Sequence, residues 1–165
     1  MHLALSPRAL AAQLGARPFV ALPREEIERH YACVELEVPG PGLAEIEIVA
    51  AFHHNHAWLT HRGPSLVLRH PLAWPERDPP LFLDEAIDRV AEQLVAPTIA
   101  PDLLTSWRLV GIIQDDGVGL VYVGRLKERL PPSSAHGVSG PGDLAHDRAR
   151  YGPWSQILIE HIDAL

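Results

Sequence analysis

Three acidic residues, Glu85, Asp88 and Glu92, are spaced so that a helix would bring them to one side. At 100° per residue they share, with Arg89, roughly a third of the circumference. Carboxylates so placed suit Mg²⁺ or Mn²⁺, which favour oxygen ligands and usually keep several waters. A plainer account competes with this one. An amphipathic helix must turn some polar face outward, and acids in its first turn favour the macrodipole.

Histidines form a second constellation. His53, His54, His56 and His61 lie within nine positions, with His70 nearby. Strand residues two apart share a face, so His54 and His56 can converge on zinc, with His61 reaching across a hairpin. Alternatively, His53-His54-Asn55-His56 is an exposed turn and its rings need no partner. Ser155 and Ser139 sit in no Gly-x-Ser-x-Gly elbow, and Ser155 is expected to contribute to capping in a final helix. The stretch Gly140-Pro141-Gly142 lacks the Lys-Ser/Thr of a phosphate loop. Of the four tryptophans, Trp58 and Trp107 read as core. Trp74, in a proline-rich loop, is the candidate for a ligand contact or a protein interface.

The elements that must position these groups are legible from periodicity and punctuation. Ser6, Pro7 and Gly15 bound a short helix over 6–14, and a helical turn is expected over 23–30. Alternation over 31–38 predicts a half-exposed strand, in which the lone Cys33 is a small buried residue. Strands follow at 44–52, 57–62 and 65–69. Ile87, Val90, Ala91 and Leu94 recur at helical spacing behind an Asp84 cap, predicting a helix over 84–95 closed by Pro97. Residues 107–114 and 118–126 form a hairpin about Asp115-Asp116-Gly117. Residues 131–147, rich in Pro, Gly and Ser, read as a mobile loop. Pro153 then opens a last helix to about Asp163. Central strands flanked by helices predict an α/β or α+β domain.

Composition bounds the partners. A chain of 165 residues fits one domain. The net charge of −7, with no cationic run, argues against nucleic acid as the main partner. No apolar run reaches a membrane span, and Pro7, Arg8 and Gln13 interrupt any signal-like segment, so a cytoplasmic protein is the expectation. A single cysteine excludes a disulfide framework and a cysteine-based zinc site.

Two of these stretches together resemble the later half of a Nudix-like domain: the hairpin over 111–123, and Trp154-Ser155-Gln156-Ile157-Leu158. The segment over 46–63, ending in Arg62-Gly63, is similar to that family's opening hairpin. The hairpin resembles a predicted phosphoesterase-like branch, although the histidine usual before the glycine of its turn is absent. The resemblance implies an α/β/α sandwich with a mixed central sheet. It implies one domain, with 1–43 as an N-terminal extension packed on the sheet and 44–163 as the core. It also places the helix over 84–95 where the family binds Mg²⁺ or Mn²⁺ and activates water for attack on a diphosphate.

The family's motif is a glycine, later a glutamate, then Arg-Glu, an aliphatic, any residue, Glu-Glu, any residue, Gly and an aliphatic. Here Val90 takes the aliphatic place and Glu92 the first of the paired glutamates. Asp88 falls at the arginine, Arg89 at the preceding glutamate, Gln93 at the second paired glutamate and Val95 at the glycine. Trp74 and Pro80 replace the earlier glycine and glutamate. Only Glu92 carries over. The resulting expectation is a Nudix-like protein with a decayed box, binding a nucleotide, another phosphorylated ligand or a protein partner without efficient hydrolysis. The alternatives are a divergent Mg/Mn-dependent phosphoester or diphosphate hydrolase, with Glu92, Asp88 and Glu85 at the metal, and a homodimeric interaction protein.

Overall fold

The computed structural model describes residues 14–23, 25–26, 46–72 and 83–165. The helix expected over 6–14 (Leu14 apart), most of the turn at 23–30, the strand over 31–38 with Cys33, and Trp74 lie outside these residues.

The longest apolar runs become the centre of one sheet. β1 (Phe19–Ala21), β2 (Ile46–His54), β3 (Ala57–His61), β4 (Leu68–Pro71), β5 (Leu104–Gln114), β6 (Val118–Leu126) and β7 (His136–Ser139) make up its strands. Their order is β1-β5-β6-β2-β3-β7, with β4 also pairing β2. β2 and β6 run parallel in register from Ile46↔Val118 to His53↔Arg125. The other pairings are antiparallel, so the sheet is mixed. A strand covered on both faces has no reason to alternate apolar with polar. Accordingly Ile48, Val49, Ala50, Ala51 and Phe52 are all fully buried.

Helices cover the two faces. α1 (Leu83–Val95) sets Ile87 and Ala91 against Ile46, Ile48, Leu120 and Tyr122. Its last turn carries Val95 onto Ala50, Phe52 and Leu59. On the other face, α2 (Pro141–His146) and α3 (Pro153–Glu160) bring Leu144, Trp154 and Leu158 onto Val49, Ala51, Val121 and Val123. The result is the expected α/β/α sandwich on a mixed sheet. Among the described residues, no helix is long and apolar enough to cross a membrane.

Several boundaries differ from the sequence expectation. The stretch over 131–147 contains β7, paired with β3 from Trp58↔Ser139 to His61↔His136, and α2, whose Leu144 is fully buried. Its Pro and Gly residues punctuate short elements and do not dissolve them. The strand expected at 65–69 starts at Leu68, because Ser65 closes a turn by exchanging backbone hydrogen bonds with His61. The last helix stops at Glu160, with a 3-10 turn at Ile162–Ala164 beyond it. β1, not foreseen, adds an edge strand to β5.

The hairpin turn and the last helix, far apart in sequence, lock together. Trp154 Nε1 donates to Asp116 Oδ1 at 2.8 Å. The Arg69 guanidinium lies 3.9 Å above the same indole, a cation–π contact. Arg69 is held in turn by both carboxylate oxygens of Glu47, at 2.8 and 2.9 Å. This pairing with Glu47 is the main reason its pKa is raised. Gly119 makes room for the ring: a Cβ there would sit 2.5 Å from both Trp154 Cζ3 and Val49 Cγ2. Gly119→Ala is therefore expected to cost about 1–3 kcal/mol through overpacking. Urea denaturation would show this as a lower midpoint with the slope unchanged.

Candidate functional site

The helical spacing of Ile87, Ala91 and Val95 turns the acidic residues of α1 away from the sheet, though not equally. Glu85 and Glu92 are exposed, and Asp88 is partly buried. Asp88 Oδ1 accepts a hydrogen bond of 2.9 Å from the hydroxyl of Tyr122, which rises from β6 beneath the helix. Tyr122 is fully buried. It stacks on Trp107 at 4.8 Å, and Trp107 stacks on Phe52 at 5.9 Å. Glu85 instead lies beside Arg89, one helical turn on, at 3.9 Å. That pair is well exposed and contributes little to stability. Asp88 and Glu92 remain neighbours on the helix at i and i+4 spacing. Among the described residues, no three His, Cys, Asp or Glu side chains come together in a way that could hold a metal ion.

The histidine cluster is divided by the β2–β3 turn. Asn55 and His56 have φ of +47° and +65°, the left-handed pair that a two-residue hairpin turn requires. His54 faces the α1 side, where both ring nitrogens are occupied: Nδ1 by the Leu126 carbonyl at 3.0 Å and Nε2 by the Asn55 amide at 3.1 Å. Donation from Nδ1 and acceptance at Nε2 would satisfy both bonds with one tautomer. His56 is exposed in the turn. His61 is at the far end of β3, about 13 Å along the strand from Ala57. The structure therefore does not bring His54, His56 and His61 together. His61 instead faces His136 across the β3–β7 pair, and its Nε2 is buried without a hydrogen-bond partner. Burial, and then the neighbouring His136, lower its pKa to about 4.

Ser155 has a structural role. Its Oγ accepts the Leu66 N–H at 2.9 Å and lies 3.3 Å from Ser65 Oγ, fastening α3 to the loop before β4. The N-terminus of α3 carries no side-chain cap, so the capping expected of Ser155 is not its function.

A cavity of about 290 Å³ opens on the α2/α3 face, beyond the end of β2. His53, His56, Trp58, Arg108, Asp163 and Leu165 are among the residues that line it. The His53 ring packs on Trp58 at 4.9 Å, and its Nδ1 is buried without a partner. Arg108 Nη2 donates to the Leu165 backbone oxygen. The His53 pKa is lowered first by burial, then by Arg125, His56, Arg108 and His54. The spacing of the histidines points to this region, but Arg108 and Arg125 join it only through strand pairing. Alternate positions on strands that pair far apart in the chain leave no local signal.

No protein-family model matches the sequence, and no curated protein matches it. Among solved structures, the chain is similar to "Tm1382, a putative Nudix hydrolase". The TM-score is 0.76 over 98% of this chain and 97% of that one, at 12% identity. At that identity the likeness concerns the fold, which is Nudix-like.

His61 generates a prediction about pH. Its folded pKa, about 4, lies below the ordinary 6.5. Between those values the unfolded chain binds a proton that the folded chain refuses, so stability rises with pH across that window. The contribution is complete above about pH 6.5, shrinks as the pH falls, and levels off below about 4. Discounted for partial exposure, the loss is on the order of 2 kcal/mol. Denaturation midpoints measured at several pH values should show it, with a flatter slope in His61→Gln.

Proposed function

We propose that the protein is a Nudix-like binding protein that takes a nucleotide or another phosphorylated small molecule, or a protein partner, without efficient hydrolysis. The polar face of α1 carries this reading. Asp88 is engaged by Tyr122, Glu85 lies beside the Arg89 guanidinium, and Glu92 stands exposed. Mg²⁺ and Mn²⁺ need several oxygen ligands that converge, and these described carboxylates are a poor donor set for either ion. A guanidinium on the same face opposes the ion further. Activation of water by a metal requires the ion to be fixed in place, which this donor set does not favour. A phosphorylated ligand is what the Nudix resemblance of the sequence implies, and the Nudix-like fold shared with Tm1382 is consistent with it.

One observation favours a second reading, a divergent metal-dependent phosphoester or diphosphate hydrolase. Asp88 and Glu92 sit at i and i+4, and the Tyr122 hydroxyl orients the first of them. The two readings separate in solution. Binding predicts a thermal upshift with a nucleotide or phosphorylated metabolite, worth about 2.7 kcal/mol at a hundredfold excess over Kd, with no Mg- or Mn-dependent turnover. Turnover that falls by orders of magnitude in Glu92→Gln would replace the first reading with the second.

A further inference from the structure

We propose that the cavity beyond the end of β2 is a second binding site, for a small organic anion. Its carboxylate or phosphate group would be held by His53, His56 and Arg108, and its apolar part would lie against Trp58. This site is separate from α1, because the sheet stands between them. Trp58 packs with the α2/α3 face, while the α1 residues Ile87 and Ala91 pack on the opposite one.

Strand register assembles the site. The parallel pairing puts His53 beside Arg125. The β5–β6 pairing puts Arg108 beside Val123, two residues from Arg125 on β6. Side chains two apart on a strand share a face, so the guanidinium groups of Arg108 and Arg125 and the His53 ring, from three neighbouring strands, gather at one end of one face. His56 adds a second imidazole from the turn. Among the described lining residues, Asp163 carries the one acidic side chain.

Individual atoms point to an acceptor-bearing ligand. His53 Nδ1 is buried and unpartnered, a costly condition that a rotation of the ring towards a bound oxygen would relieve. Arg108 already donates to a backbone oxygen at the cavity wall, so its guanidinium reaches an acceptor in this space. His56 adopts φ of +65° at a turn position where glycine would be unstrained. Trp58, Ile162 and Leu165 supply apolar lining. A cavity of about 290 Å³ is at the small end of ligand pockets, which suits a compact metabolite.

The test titrates the full chain with inorganic phosphate in one arm and benzoate in the other, at constant chloride. The readouts are tryptophan fluorescence and the histidine ring resonances. The expected result is a saturable response at His53 and His56. Arg108→Gln should weaken binding about tenfold. His56→Asn, which tolerates the left-handed turn position, should weaken it about threefold with the fold intact. A response to phosphate alone assigns a phosphate ligand, to benzoate alone a carboxylate, and to both a general anion site. No saturable response to either probe, or equal affinity in both variants, would overturn the proposal.

Discussion

Everything else in the domain depends on the parallel pairing of β2 with β6. Residues 46 to 53 face residues 118 to 125 one for one, and both strands are buried on both sides. The register therefore decides which residues meet α1 and which meet α2 and α3. A slip of one residue would exchange the faces. Tyr122 would leave Asp88, and His53 would move to the wrong side of the sheet. The two candidate sites are, in this sense, products of a single alignment.

That alignment is braced at one edge by Trp154. Its indole occupies the space that Gly119 leaves open, bonds to the hairpin turn at Asp116 and lies under Arg69. Arg69 is fixed by Glu47, two residues along β2 from its register partner Val49. One side chain thus links α3, the β5–β6 turn and the β2–β4 pair. Ser155, the next residue, ties the same helix to Leu66. Together these contacts make the last helix part of the sheet's outer layer.

Much of this was legible in the chain because burial imposes periodicity. The apolar runs in β2 and β6, and the spacing of Ile87 and Ala91, announce a central sheet and a covering helix. Length set the limits. β1 and β7 are three and four residues long, too short to show alternation, and β7 is embedded in Pro, Gly and Ser. The turn at Asn55-His56 was recognisable as a turn, but its left-handed geometry was not. That geometry sends His54 and His56 to different surroundings, so the zinc grouping imagined from their spacing does not assemble. The Tyr122–Asp88 bond and the Arg108–His53 neighbourhood join residues distant in the chain, which no local pattern encodes. The Asp115-Asp116-Gly117 turn and the Trp154 segment stand out together through a family resemblance, but their contact, the Trp154–Asp116 hydrogen bond, was not foreseen.

The proposed binding role requires that the α1 face hold no catalytic ion. Anomalous diffraction from crystals soaked in manganese tests it most directly. The account predicts no ordered manganese between Asp88 and Glu92, with Asp88 still bonded to Tyr122. A manganese ion ligated by both carboxylates would contradict it.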